Sequence, residues 1–286
     1  MSRRVNAKLA SALSITNGAT QLMVGRNRRT KKASAKAPLM GNHQKCWLWG
    51  RHSVMELLRT DRWQPLELGI SHSLPEALSH EVTQWATDHD CPLEVWSDAE
   101  IEARCRASDH QGLIARMPEF PYLAVDEALR AMPANAWCTL LDGIQDPFNF
   151  GAILRSAEVL GASAAFIGTE QQCGVTAQVV RSSVGAVLHL PLARGENVCE
   201  IARSLQARGV QLCAASEKAT QSPSEIDLRR PTCLVIGNEG RGISAPLLAM
   251  CDQMIAIPQT GQVGSLNAAV AAGILYYEAG RQRRDA

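Results

Sequence analysis

The sequence lacks the patterns that assign a chain to several common protein classes. Its 286 residues contain no apolar run of the ~18 residues that a membrane-spanning helix needs. No Walker A, H-E-x-x-H or G-x-S-x-G pattern is present, and the glycines of "GNEGRG" (237–242) do not have the G-x-G-x-x-G order of a dinucleotide fold. These absences remove the main support for a membrane protein, a kinase, a common hydrolase or a dehydrogenase.

Paired cysteines are also absent. The nine cysteines stand singly, without a C-x-x-C pair, so neither a zinc ribbon nor a disulfide framework is indicated. We therefore expect reduced, mostly buried thiols, and we predict no metal site.

Acidic residues are missing from positions 1–45. Of the 29 lysines and arginines in the chain, ten stand there, which leaves 19 against 28 acidic residues in the remainder. A basic, disordered arm on an acidic body suits an anionic partner such as RNA, although solvated tails and organelle transit peptides share this composition. Because the chain start lacks the apolar core of a secretory signal, we expect a cytoplasmic protein, or a mitochondrial or plastid one if residues 1–45 are a transit peptide.

Alternating strand and helix patterns predict a small α/β domain over 46–118. The expected strands lie at 47–49, 65–71, 92–97 and 110–117, with helices at 54–58, 76–90 and 98–105 between them. The segment 118–136 holds three prolines and a short amphipathic stretch, so we interpret 119–136 as a linker.

A second alternating series predicts a parallel sheet over 137–286. The expected strands are 137–144, 162–168, 187–194, 210–216, 232–237 and 254–259. The expected helices are 149–160, 176–186, 196–208, 244–249 and 265–283.

Three segments of this second part follow directly after predicted strands: "DGIQDPFNFGAILR" (142–155), "GNEGRGIS" (237–244) and "PQTGQVGSLN" (258–267). In open α/β sheets, ligands bind where such loops converge. The segments are rich in Gly, Asn and Ser, which permit tight turns and close backbone approach to a ligand. Taken singly each is ordinary turn chemistry, but together they predict one site, with polar candidates Asn149, Arg155, Asn238, Glu239, Ser265 and Asn267.

These segments resemble a known family. "NFGAILRSAE", "LVIGNEGRGIS" and "IPQTGQVGSLNAAVAAGILYYE" are similar to the three motifs of the SpoU (TrmH) family of RNA ribose 2′-O-methyltransferases, over residues 137–281. "GRHSVMELLR" and "HQGLIARM" resemble the two ends of the small substrate-binding domain in the RlmB type, which methylates a guanosine of large-subunit rRNA. Members that act on tRNA commonly lack this domain, so the resemblance favours rRNA over the tRNA alternative.

The resemblance implies an α/β fold whose C-terminal parallel-sheet domain (137–286) forms a deep trefoil knot of the SPOUT type, with a small N-terminal α/β RNA-binding domain. It also implies S-adenosyl-L-methionine as cofactor, RNA as partner and a homodimer formed through the knot region. A catalytically lapsed RNA-binding or ribosome-assembly protein is the alternative from a different class.

The resemblance further implies roles for individual residues. Arg155 is the key residue of the first motif. Because a guanidinium normally stays protonated, we expect it to anchor the phosphate or ribose and to favour the alkoxide, and its action as general base stays open. Asn149 is expected to cap the helix and to orient Arg155 or the ribose. Glu239 is expected to organise its loop, to bind RNA or to cap the next helix.

The third motif contributes Ser265 and Asn267 to the ribose side of the site, where both also suit helix N-caps. Contacts with the cofactor are expected from Gly237, Asn238, Gly240, Ile257 and Leu266. Methyl transfer to a ribose hydroxyl needs two reactants held in line and a weak nucleophile made better, which is the work expected of this set.

Overall fold

The structure is a computed structural model that describes residues 38–41, 45–262 and 264–284. Most of the arm assigned to residues 1–45 therefore lies outside the described residues. Two β-sheets contain the strands of the described part, and they follow each other along the chain.

The first sheet has four strands in the order β1-β4-β2-β3. These strands are β1 (Trp47–Trp49), β2 (Glu67–Ser71), β3 (Leu93–Trp96) and β4 (Leu113–Arg116). The helices between them are α1 (Arg51–Leu58), α2 (Glu76–Asp88) and α3 (Asp98–Cys105). Ser97 caps α3 in a capping box with Glu100, because each side chain accepts a hydrogen bond from the other residue's backbone N–H.

Residues 38–41 pack on this first sheet, although they fall in the range assigned to the arm. Met40 is buried, its N–H donates to the Met117 carbonyl, and Leu39 pairs with Pro118. The folded part thus begins before position 46.

The segment 119–136, interpreted as a linker, is packed and carries the helix α4 (Val125–Ala131). Phe120 and Leu129 are buried. The N–H of Leu123 donates to the Leu192 carbonyl, and the N–H of Arg194 donates back to Leu123. The connection between the two sheets therefore extends the edge of the second sheet.

The second sheet has six strands in the order β10-β8-β9-β5-β6-β7, and all five pairings are parallel. Its strands are β5 (Trp137–Asp142), β6 (Ala165–Ile167), β7 (Leu192–Arg194), β8 (Gln211–Ala215), β9 (Thr232–Gly237) and β10 (Gln253–Ile255). Its helices are α5 (Pro147–Val159), α6 (Ala177–Ser182), α7 (Val198–Gln206), α8 (Ala245–Leu248) and α9 (Ala268–Arg284), with 3-10 turns at Ala186–Leu188 and Pro223–Glu225. The predicted parallel sheet is confirmed.

The strand order reverses between β5 and β9, which end side by side with Asp142 opposite Gly237. From this point β6 and β7 extend the sheet in one direction, and β8 and β10 extend it in the other. Such a switch point opens a crevice at the carboxyl ends of the strands. The first two motif segments both begin there.

One predicted strand is wrong over most of its length. Of residues 187–194 only Leu192–Arg194 is a strand, and Ala186–Leu188 is a 3-10 turn. Gly185 has a φ of 84°, and its carbonyl accepts from the Leu188 N–H. A short buried apolar run reads the same in a strand and in a buried turn, so the pattern misled the prediction.

All nine cysteines are free thiols, and five of them are buried. In the described ranges, no helix has both the length and the apolar character needed to cross a bilayer.

Candidate functional site

A cavity of about 370 Å³ opens at the carboxyl ends of β8, β9 and β10. This volume lies in the range of small-molecule and cofactor pockets, roughly 300–1,000 Å³. Its walls come from the loop after β8, the loop after β9, the segment between β10 and α9, and the first turn of α9. The second and third motif segments, far apart in sequence, thus share one cavity.

Most of the predicted site residues border this cavity. All five residues expected to contact a cofactor do so, and so do two of the expected catalytic residues: Gly237, Asn238, Gly240, Ile257, Leu266, Glu239 and Ser265. The other three, Asn149, Arg155 and Asn267, lie outside its walls.

Two of these three are joined to the cavity wall by side-chain hydrogen bonds. Asn149 Nδ2 donates to Glu239 Oε1 at 2.6 Å, and Asn267 Nδ2 donates to Asn149 Oδ1 at 3.0 Å. Asn267 Oδ1 in turn accepts from the backbone N–H groups of Ala269 and Val270 at 2.9 and 3.2 Å. One residue from each motif therefore belongs to a single hydrogen-bonded chain, in which a helix start fixes one end and a carboxylate the other.

The structure corrects one role expected of Asn149. Asp146 is the N-cap of α5, because its carboxylate accepts from the Asn149 N–H at 2.9 Å, and Pro147 occupies the first helical position. Asn149 stands in the first turn instead, so its side-chain amide is free to bind Glu239 and Asn267. The capping role expected of Asn267 on α9 is confirmed by its bonds to the helix start.

The loop after β9 is held by Asn238 and by close backbone packing. Asn238 Nδ2 donates to the Gly143 carbonyl, and Asn238 Oδ1 accepts from the N–H groups of Gly240 and Arg241. A Cβ at position 237 would clash with the backbone at Gly242, so glycine is required there for the loop to return on itself. The space beside Gly237 is thus filled by the loop's own backbone.

Glu239 does not cap the helix that follows. The backbone N–H of Ser244, at the start of α8, donates to Asp142 Oδ2 at 2.7 Å instead. Of the roles expected for Glu239, the structure shows the organising one, through its bond to Asn149.

Arg155 stands apart from this chain of hydrogen bonds. Its side chain is exposed on α5 and makes no hydrogen bond or ion pair with the described residues. It shares one face of the helix with Phe148, seven residues earlier, and Val159, four residues later. The guanidinium therefore keeps all of its donors for a group outside the described fold.

Sequence reasoning missed the loop after β8, where Ser216, Glu217 and Lys218 border the cavity. The signal was present, because this loop also follows a strand of the same parallel sheet. Cys173 lies close to the first motif, with its N–H bonded to the Ile144 carbonyl. Burial raises the pKa of its thiol to about 11, so it is not a thiolate nucleophile at neutral pH.

Comparison with known proteins finds relatives that are named as RNA methyltransferases. Residues 137–277 match the family model described as the SpoU rRNA Methylase family. A 23S rRNA (guanosine-2′-O-)-methyltransferase RlmB of Shewanella oneidensis is 31% identical over 83% of this chain and 97% of that protein. A protein of Bacillus subtilis named for the TrmH family of tRNA/rRNA methyltransferases is 29% identical over 85% of this chain and 98% of that protein.

Among solved structures, the SpoU methyltransferase AviRb from Streptomyces viridochromogenes in complex with AdoMet is similar. It has a TM-score of 0.74 at 25% identity, covering 86% of this chain and 96% of AviRb. This coverage exceeds the span of the family match, so it includes the first sheet as well as the second.

Proposed function

Since this chain belongs to the SpoU rRNA methylase family and is an S-adenosylmethionine-dependent RNA 2′-O-methyltransferase, we propose that its substrate is a guanosine of large-subunit ribosomal RNA. The rRNA enzyme of Shewanella oneidensis is similar over nearly its whole length, including the part that forms the first sheet here. The observation that carries the assignment of the site is the hydrogen-bonded chain from Asn267 through Asn149 to Glu239, beside a cofactor-sized cavity.

The cavity fits S-adenosylmethionine, because its walls are turns that expose backbone donors and acceptors beside apolar side chains. Gly237, Asn238, Gly240, Ile257 and Leu266 would hold the cofactor, which supplies a methyl group on a sulfonium when bound.

The chain's own residues then position the acceptor. The amide of Asn149 is fixed at both of its ends, so its orientation costs no further ordering when RNA binds. Ser265 offers a hydroxyl at the rim of the same cavity. We assign these two side chains to the ribose.

Arg155 supplies the positive charge. Its guanidinium, which has no partner among the described residues, can bind a phosphate of the RNA in bidentate fashion and stabilise negative charge as it develops on the 2′-oxygen. Guanidinium groups normally stay protonated, so this electrostatic role needs no unusual environment, whereas proton abstraction by Arg155 would need one.

We propose that the chain acts as a homodimer through a face formed by α5 and α9. Large apolar side chains are exposed on it: Phe148, Val159, Val270, Ile274 and Tyr277. The three on α9 follow at i, i+4 and i+7, so they form one stripe along that helix. A patch of this kind on packed neighbouring helices marks an association site, and a second copy is the occupant we assign because α5 also carries Arg155.

We also propose the trefoil knot expected for the family. The chain leaves β10 at the edge of the sheet, and α9 then returns to pack on α5 near the middle. Ile257, Gln259, Ser265 and Leu266 of the segment between them border the same cavity as the carboxyl ends of β8 and β9. The cytoplasm is the compartment we propose, in keeping with nine free thiols.

The RNA class is tested by methyl transfer in vitro. Purified protein and labelled S-adenosylmethionine are incubated with ribosomal RNA and with tRNA, both from cells that lack the protein. We expect label in large-subunit rRNA, and primer extension then maps the nucleotide. Label in tRNA alone would overturn the rRNA proposal and keep the enzyme class.

A further inference from the structure

A second cavity lies on the other side of the loop after β9. It has a volume of about 240 Å³ and opens at the carboxyl ends of β5 and β6 and at the start of α7. Arg241 borders both cavities, and Glu239, two residues earlier, borders the first. Two residues of chain span at most about 7 Å. The second cavity therefore lies next to the first, where the methyl transfer is proposed to occur.

A buried carboxylate forms part of the wall of this second cavity. Asp142 is only 5% exposed, and its Oδ2 accepts from the Ser244 N–H. Its Oδ1 accepts no hydrogen bond from the described residues. This oxygen is accessible from the cavity, so it can accept a hydrogen bond from an N–H or O–H group of a ligand.

Further acceptors surround the opening. The carboxylates of Glu170 and Glu196 border the cavity and make no hydrogen bond or ion pair within the described part of the chain. The side-chain oxygen of Asn197 accepts a hydrogen bond from the Cys199 N–H, so its Nδ2 group remains as a donor. Val198 and Pro246 contribute apolar surface to the walls.

A cation also borders the cavity. The guanidinium of Arg241 lies against Gly143 and donates to Gln171 Oε1. The cavity therefore presents carboxylate acceptors together with guanidinium and amide donors and some apolar surface.

Guanine matches this arrangement. Its N1–H and N2 amino group are adjacent donors for a carboxylate, and its O6 and N7 are the acceptors that Arg binds. Adenine would direct its N1 lone pair at the carboxylates, and a phosphate would be repelled by them. The apolar walls suit the faces of a planar base.

We propose that the second cavity binds the guanine base of the nucleotide whose ribose is methylated, with Asp142, Glu170 and Glu196 as acceptors and Arg241 as donor. The assignment rests on the proposed function, since it places the base beside the ribose that this function requires. It makes these four residues the determinants of base specificity.

The first test is methylation of an rRNA fragment that contains the mapped nucleotide as guanosine or as inosine, which lacks the N2 amino group. For the wild type we expect inosine to lower kcat/KM by at least about 10-fold, the weight of a specific base contact. For Glu170→Gln, Glu196→Gln and the double variant, we expect the guanosine-to-inosine ratio of kcat/KM to fall below about 3-fold. An amide oxygen accepts from the N2 amino group more weakly than a carboxylate does. Glu200→Gln, an exposed carboxylate on α7 outside the cavity, should behave as the wild type.

The second test does not depend on methyl transfer. Guanosine, inosine and adenosine 5′-monophosphates are titrated into ¹⁵N-labelled protein, and the amide signals of Gly168, Asn197 and Val198 are followed by NMR. We expect the guanosine nucleotide to shift them most. Equal shifts from the adenosine nucleotide, no shifts at all, or an unchanged guanosine-to-inosine ratio in the double variant would each overturn the base site. A wild type that methylates no RNA would overturn the proposed function instead, and the titration would still decide on the cavity.

Discussion

At the scale of single residues, the site depends on side chains that hold each other before any ligand arrives. Asn267 illustrates this, because one amide caps α9 through its oxygen and orients Asn149 through its nitrogen. Replacing that amide therefore has two separable consequences, one for stability and one for positioning.

Asn267→Asp separates the two. Aspartate caps a helix about as well as asparagine, so we expect stability within ~0.5 kcal/mol of the wild type, but its carboxylate cannot donate to Asn149. Methyl transfer should fall about 10- to 100-fold, whereas Asn267→Ala should lose similar activity and also ~1 kcal/mol of stability. Thermal unfolding and single-turnover kinetics measure the two effects. Full activity of Asn267→Asp would show that the bond to Asn149 does not matter.

Arg155→Ala tests the exposed guanidinium. We expect kcat to fall at least ~100-fold, because the variant removes a donor aimed at developing charge, while S-adenosylmethionine affinity by calorimetry stays unchanged. Arg203→Ala, an exposed arginine on α7, is the matched control. Arg155→Lys restoring more than a tenth of the activity would argue against bidentate binding.

Most candidate residues could be found from sequence because their types and positions after strands carry the chemistry. The capping role of Asn149 could not be settled that way, since Asp146 and Asn149 are both good N-caps. Pro147 was the deciding signal, because proline favours the first helical position and so places the cap at Asp146. Side-chain hydrogen bonds such as that of Asn149 with Glu239 can be identified only in the folded chain.

At the scale of elements, α9 is anchored to the sheet by a buried hydroxyl pair. Tyr276 Oη lies 2.7 Å from Thr139 Oγ1, which donates to the Leu234 carbonyl. Burial raises the pKa of the Tyr276 phenol, so it stays protonated throughout the physiological range. The bond joins α9 to β5 and β9 directly beneath the site.

The two hydroxyls should not be equivalent. Tyr276→Phe removes a donor from an oxygen that keeps another bond, so we expect a loss of ~1 kcal/mol. Thr139→Val leaves the phenol buried without a partner, so we expect a larger loss, about 2 kcal/mol. Urea unfolding followed by circular dichroism measures both, and the reverse order would contradict this account of the anchor.

Two helical glycines provide a matched pair. A Cβ on Gly151 of α5 would clash with Ser182 Oγ and lie 2.9 Å from the Ser183 nitrogen, so Gly151→Ala should cost about 1–3 kcal/mol. On Gly273 of α9 the nearest atom would be 3.8 Å away, so Gly273→Ala should gain up to ~1 kcal/mol. If both substitutions changed the free energy of unfolding in the same direction, the close packing of α5 on α6 would be contradicted.

Element order followed from apolar patterning, since buried strands that alternate with helices have few arrangements. The ends of the strands and helices were harder to predict from the sequence. The apolar run at 187–190 reads as strand, and only the contacts around Gly185 show why it turns. Close helix contacts, like that at Gly151, have no sequence signal beyond a glycine that weakens the helix.

At the scale of the whole molecule, the first sheet docks on the second through specific side chains. Arg181 of α6 binds Asp109 and stacks over the Trp49 ring, and Arg62 donates to the Leu190 carbonyl. His189 Nε2 lies 2.7 Å from Glu56 Oε1, and this hydrogen bond is the main cause of the lowered pKa of Glu56. No pattern in the sequence predicts these partners, because each joins positions more than 70 residues apart.

The proposed dimer is testable at this scale. Twice the chain mass of 31.0 kDa is expected by light scattering for the wild type. Ile274→Glu with Tyr277→Glu places charges on the exposed stripe of α9 and should give a folded monomer. Val95→Glu, an equally exposed apolar residue on β3, should stay dimeric. A monomeric wild type would refute the assignment of the face.

The central claim is that three sequence-distant turns form one site that methylates a ribose hydroxyl. The most direct measurement is mass spectrometry of nucleosides released from rRNA after incubation with the protein and S-adenosylmethionine. We predict that one 2′-O-methylated nucleoside increases, and that it forms at least ~100-fold more slowly when Arg155→Ala replaces the wild type. Methyl groups on a base, or the same 2′-O-methyl yield with Arg155→Ala, would contradict the claim.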